Sequence, residues 1–235
     1  QMRLDNFYAL GDSRGVLVEQ MQAHVPLMIH PDPRRVLFLG LGTGITAGAA
    51  LEHGPDELVT VELIPNVVRA ARTFFQPWTN GLFSDSRARV VADDARNYVL
   101  GTPGGFDVVV GDLFTPWHAG TGTLYTMEHF QTVRQRMAPG GVFAQWLPLW
   151  QLTPDDLHTV MATFAAVFPV ATVWRADFSV ERPAVALVGQ AAGTRLSGPV
   201  LRRGAARFLR DASAAADSAD HMGMLFYAGN LAALA

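Results

Sequence analysis

Cysteine is absent from this 235-residue chain, and so is lysine: all 18 basic residues are arginine. Without thiols there is no disulfide, no thiolate nucleophile and no cysteine-based zinc site. Without lysine there is no Walker-type phosphate loop, no Schiff base and no lysine general base. Catalysis is left to carboxylates, histidine, tyrosine and hydroxyls. Charge is also sparse, at 17% of residues with a net of -3, which gives no reason to expect a nucleic-acid surface. No apolar run approaches the roughly 20 residues that span a bilayer. His24, His30, His53, His129, His158 and His221 show no metal-ligand spacing, so no metal is expected and they read as structural or solvated. The chain opens on Gln1 without a signal-like segment, as expected of a piece of a longer protein.

What is present begins with Val36-Leu-Phe-Leu-Gly-Leu-Gly-Thr-Gly44. A short apolar strand runs into Gly40, Gly42 and Gly44, and a small-residue helix follows. Such a turn lets backbone approach a nucleotide, although glycine-rich turns also join strands to helices for packing reasons alone. Further strand-like runs at 58–63, 88–92, 106–110, 142–146, 171–175 and 185–188 bring the total to seven. Helical stretches lie between most of them. The stretch 65–75 places Val67, Val68, Ala71, Phe74 and Phe75 on one face, 126–137 starts at a capping Thr126, and Thr153-Pro-Asp-Asp156 is a strong helix start. Strands alternating with helices predict an α/β, Rossmann-like doubly wound parallel sheet, its last two strands forming an antiparallel hairpin. Three segments are expected: a short strand and helix over 1–26, the sheet domain over 27–190, and a helical tail over 191–235, with an amphipathic helix at 196–213.

In an open parallel sheet, ligands bind beyond the carboxyl ends of the strands. After the first strand stand Gly40, Gly42, Thr43 and Gly44. The second ends in Glu62, about 20 residues on, where a carboxylate can accept from ribose hydroxyls. The third ends in Asp93 and Asp94, the fourth in Asp112, the fifth in Gln145. Each has a plainer alternative: a solvated strand-end acid for Glu62, a helix N-cap for Asp93, a loop cap for Asp112. Thr115, Trp117, His118 and Tyr125 follow Asp112 and are candidates to touch substrate; an exposed loop position is the alternative for His118, a core position for Tyr125. Trp146 and Trp150 are expected in the core.

This pattern resembles the polyamine aminopropyltransferases, the spermidine synthase family, whose fold is that of S-adenosylmethionine-dependent methyltransferases. The likeness covers about residues 4–188. Val59-Thr-Val-Glu62 resembles the strand whose acid holds ribose, Arg89-Val-Val-Ala-Asp93 the segment whose Asp contacts adenine, and Phe106-Asp-Val-Val-Val-Gly-Asp112 the strand ending in the catalytic Asp. Methyltransferases commonly carry an acid two residues before the first glycine, where this chain has Phe38. The departures are informative. The family's glycine turn carries an Asp for the donor's amine; here it is Thr43. Its catalytic loop reads Asp-Ser-Ser-Asp-Pro; here it reads Asp112-Leu-Phe-Thr115-Pro116. Aligning Ala23-His-Val-Pro26 puts Val18 where a Tyr-His-Glu motif supplies Tyr.

The resemblance implies a transferase of polyamine biosynthesis using S-adenosylmethionine or its decarboxylated form, with Asp112 orienting or deprotonating the nucleophile and a small-molecule acceptor such as a polyamine. The lost acids weaken binding of a multiply charged amine. They also point to intact S-adenosylmethionine as donor, its carboxylate accepting from the Thr43 hydroxyl. Two other expectations stay open: methyl transfer or an intramolecular reaction of the donor releasing methylthioadenosine, and a non-catalytic nucleoside-binding domain of a larger, membrane-attached protein. Family enzymes are commonly dimers or tetramers, so a homodimer is one expectation, and a cytoplasmic location is the default for a soluble user of S-adenosylmethionine.

Overall fold

The computed structural model describes residues 1–4, 8–114, 120–176, 182–191, 200, 203 and 225–231. Strands β1 (Met2–Leu4) and β2 (Tyr8–Gly11) form a separate antiparallel pair. Helix α1 (Val16–Ile29) follows and leads to β3 (Arg35–Leu39), the glycine turn and α2 (Ile45–Ala49). The chain continues through β4 (Glu57–Glu62), α3 (Pro65–Ala70), β5 (Ala88–Ala92), α4 (Ala95–Gly101) and β6 (Phe106–Gly111). Then come α5 (Met127–Arg136), β7 (Met137–Pro148), α6 (Pro154–Val167), β8 (Ala171–Ala176), β9 (Ala184–Gln190) and β10 (Leu225–Asn230).

One sheet has the order β10-β8-β9-β7-β6-β3-β4-β5. The run from β7 to β5 is parallel, and β9 pairs antiparallel with both β7 and β8. The Rossmann-like expectation holds, with eight strands rather than seven. The eighth, β10, comes from the tail expected to be helical: Leu225–Asn230 pairs with the edge of β8, satisfying backbone groups that an open edge would leave to solvent. Of the helix expected at 196–213, only 200 and 203 are described, both helical.

Alternation along the strands divides the core. Val36 and Phe38 face α1, α2 and α3, while Leu37 and Leu39 face α4, α5 and α6. Both faces of the sheet are covered, which is why its strands read as continuous apolar runs. The caps behave as their sequences dictate. Thr126 accepts from the His129 N–H, and Thr153 and Asp156 form a reciprocal capping box. The face expected over 65–75 is only partly buried. A π turn at Ala71–Phe75 breaks the helical period, so Val67, Ala71 and Phe75 are buried while Phe74 is 68% exposed. Pro139-Gly-Gly141 lies within β7, which is longer than expected at both ends.

His24 and His53 meet in the core, Nδ1 to Nε2 at 2.9 Å, and burial followed by the neighbouring His53 lowers His24 to about 3. His24 is therefore a neutral structural group. Among the described residues no helix is long and apolar enough to cross a membrane.

Gly48 in α2 packs directly on the backbone at Thr79: a Cβ there would lie 2.1 Å from the Thr79 carbonyl oxygen. Gly48→Ala is expected to destabilise the protein by roughly 2–4 kcal/mol, because backbone rather than a side-chain end must yield. Thermal or denaturant unfolding reads this directly, and an unchanged midpoint would mean that the segment around Thr79 shifts at little cost.

Candidate active site

Chain order reverses between β3 and β6, the place where doubly wound sheets open a crevice. Register then sets the site. Leu39 pairs with Gly111 on one side and with Val61 on the other. The residues that follow, Gly40, Glu62 and Asp112, therefore lie next to one another at the end of the sheet. The strand ladders continue one step into them: Gly40 N–H donates to Val61 O at 2.8 Å, and Asp112 N–H to Leu39 O at 3.2 Å.

The turn needs its glycines. Gly40, Gly42 and Gly44 have φ of 102, 52 and 82°, which residues with a Cβ rarely adopt. A Cβ on Gly40 would stand 3.1 Å from Asp112 Cβ. The bare turn thus lies against the catalytic candidate. Glu62 holds the turn in place: its Oε2 accepts from Leu41 N–H at 3.2 Å and Gly42 N–H at 3.4 Å, and its Oε1 accepts from Ile64 N–H at 2.9 Å.

Asp112 sits partly buried at the cavity wall. Burial pushes its carboxyl up to about 6, the Leu113 N–H at 2.7 Å opposes this, and the nearby Glu62 charge adds to it. Gln145, expected to touch substrate, is fully buried behind this strand end. Its Nε2 donates to Asp112 O at 3.1 Å and to Trp146 O at 3.1 Å. It passes where Gly111 has no side chain, since a Cβ there would come within 2.3 Å of Gln145 Oε1. Gln145 braces the backbone of Asp112 rather than lining the crevice.

Tyr125 is likewise buried and its hydroxyl donates to Phe114 O at 2.8 Å, tying down the segment after Asp112. Asp93 is exposed and accepts from the Asp94 N–H, whereas Asp94 lines the crevice and also caps α4 through Asn97 N–H. Trp146 is a core residue, but Trp150 reaches the crevice and is 38% exposed. Thr115, Trp117 and His118 lie outside the described residues.

The Thr43 hydroxyl is not free for a donor carboxylate: it donates to Glu19 Oε2. Glu19, on α1, is the residue that sequence reasoning missed. Its Oε1 accepts from Asp12 N–H at 3.0 Å. Burial pushes its carboxyl up to about 7; hydrogen bonds from Thr43 and Asp12 pull the other way, and the charges of Asp112 and Asp12 raise it further. One signal was available. Glu19 is the sole acid in the sequence of α1, VLVEQMQAHVPLMI.

These groups line a cavity of about 1010 Å³, with Gly40, Gly42, Thr43, Glu62 and Asp112 on one wall. Asp12, Glu19, Asp94, Arg96, Leu124, Trp150 and Arg182 also line it. The chamber combines apolar surface with several carboxylates and a glycine turn, which suits a partly apolar ligand that carries positive charge.

The chain matches the family described as "Spermine/spermidine synthase domain" over residues 16–176. It is 38% identical over 170 residues to the polyamine aminopropyltransferase of Aeropyrum pernix, covering 70% of this chain and 54% of that protein. The chain spans about half the length of curated relatives that it matches. Its fold is similar to a spermidine synthase solved in complex with the transition state analogue AdoDATO, with TM-score 0.68, 23% identity and coverage of 80% of this chain and 71% of that one. It is also similar to human methyltransferase-like protein 13 in complex with SAH, with TM-score 0.62, 21% identity and coverage of 83% and 88%.

Proposed function

The chain belongs to the spermine/spermidine synthase family, and from that premise we propose that it transfers an aminopropyl-type group from an adenosyl sulfonium donor to an amine. The observation that carries this reading is the register of β3, β4 and β6, which sets the glycine turn, Glu62 and Asp112 side by side in the lining of one cavity.

In this reading the glycine turn with Thr43 takes the donor's methionine-derived arm, and Glu62 accepts from the ribose hydroxyls. Asp94, which lines the cavity where Asp93 does not, borders the adenine with Ala95 and Arg96. Leu124 and Trp150 line the cavity and would border the acceptor amine, with Thr115, Trp117 and His118 close in sequence to Asp112. The amine lone pair attacks the carbon next to sulfur, the carbon–sulfur bond breaks, and its electron pair neutralises the sulfonium to give methylthioadenosine. The proton lost from nitrogen passes to Asp112. A carboxyl lifted to about 6 is a better proton acceptor than an ordinary Asp while still ionised at neutral pH. Most of the acceleration comes from alignment, since the sulfonium is already a good leaving group.

Incubation with either donor form, with and without putrescine, followed by mass spectrometry tests the reading. Methylthioadenosine formed only in the presence of the diamine is the expected result. Methylthioadenosine without acceptor, or S-adenosylhomocysteine, would transfer the assignment to another reaction of the donor. Binding without turnover would leave a nucleoside-binding domain.

A further inference from the structure

Resemblance to the family places an acid at the position of Thr43, and the sequence lacks it. The structure has a carboxylate beside that position all the same. Glu19 reaches the glycine turn from α1, accepts from the Thr43 hydroxyl through one oxygen and from the Asp12 N–H through the other. Space for it is made by Gly11 at the end of β2, where a Cβ would stand 2.5 Å from Glu19 Oε1. Both Glu19 and Thr43 line the cavity. Among the described residues no arginine or histidine forms an ion pair with Glu19. A carboxylate kept in such surroundings without a cation is costly, and it becomes favourable when a ligand brings one.

We propose that Glu19 is the donor-selecting carboxylate of this chain: it supplies from α1 the negative charge missing at Thr43 and holds the ammonium of a decarboxylated adenosyl sulfonium donor. This rests on the transferase reading above and narrows it. Intact S-adenosylmethionine would bring its own carboxylate to the same place, against Glu19 and within the field of Asp112 and Glu62. The hydroxyl of Thr43 orients Glu19 rather than meeting the ligand's carboxylate. The expectation drawn from sequence, that loss of the acid at Thr43 favours the intact donor, is thereby reversed.

Calorimetric titration of the whole chain at pH 8 with methylthioadenosine, S-adenosylmethionine and decarboxylated S-adenosylmethionine tests this. The unaltered protein is expected to bind the decarboxylated donor at least about tenfold more tightly than S-adenosylmethionine. Glu19→Gln should lose about tenfold or more for the decarboxylated donor and change methylthioadenosine, which lacks the arm, by less than about twofold. Adding Thr43→Asp to Glu19→Gln should restore most of the preference by moving the charge to the other side of the same contact. Should Glu19→Gln fail to fold, Glu19→Asp keeps the charge, draws it back by one methylene and should give an intermediate loss.

Equal weakening of all three ligands by Glu19→Gln would assign Glu19 a purely structural role and overturn the proposal. A preference for S-adenosylmethionine in the unaltered protein would do the same while leaving the transferase reading standing. Failure of all three ligands to bind would remove that reading and this inference with it.

Discussion

Asp112→Asn is expected to lower single-turnover rate by about 10²–10⁴-fold while leaving donor affinity within a fewfold of the unaltered protein. The amide keeps the shape of the carboxyl and can still accept from the Leu113 N–H, so the strand end and its brace at Gln145 stay in place. What it loses is the ability to take a proton. The experiment pairs quenched-flow product analysis with calorimetry on the same preparations, so a fall in rate can be separated from a fall in binding. A variant that turns over at the original rate would take Asp112 out of the chemistry and leave it a structural strand-end acid.

Donor affinity should rise steeply with pH, by up to about a hundredfold from pH 5 to pH 8, and flatten above about pH 7. Glu19 is lifted from 4.5 to about 7 and Asp112 from 3.8 to about 6, each chiefly by burial. At pH 5 Glu19 is then almost wholly protonated in the free protein, and a cation must expel that proton to use the charge. Two units of pKa correspond to about a hundredfold when the bound form titrates below pH 5. Stability should move in the opposite direction. Between 4.5 and 7 the folded state holds a proton on Glu19 that the unfolded chain has released, so folding stability falls as pH rises through that window; for Asp112 the window runs from 3.8 to 6. Glu19→Gln should therefore flatten both curves and raise the melting temperature at pH 8 but not at pH 4. Thermal melts and titrations across this range check the two together. Parallel rather than opposed trends would show that neither carboxyl has a raised affinity for protons in the folded protein.

The sheet was legible because parallel strands covered on both faces have no polar period to hide in, and Val36–Leu39 or Val108–Val110 can be little else. The residue after each strand was legible for the same reason: once Leu39, Val61 and Gly111 are in register, Gly40, Glu62 and Asp112 must be neighbours. Sequence left open what depends on which way one side chain turns. Asp93 and Asp94 differ by one position, and only Asp94 lies on the cavity. Gln145 and Tyr125 are polar residues near a strand end, as a ligand contact would be, yet both point into the protein to hold backbone carbonyls. Glu19 was hidden by distance, because nothing local announces that α1 crosses the glycine turn 24 residues downstream. The tail strand β10 was unreadable for a related reason: its pairing is with an edge that only the folded sheet creates.

Under the transferase reading proposed above, the pairing of Leu39 with Gly111 also bears on how the acceptor can change. The separation between the glycine turn and Asp112 is held by backbone hydrogen bonds between two central strands, whereas Leu124, Trp150 and Arg182 reach the cavity from segments outside that ladder. Acceptor choice can therefore drift through substitutions and loop replacements without disturbing the reacting distance. On that reading, selection can explore new acceptors on this scaffold while the reacting end of the site stays mechanically insulated.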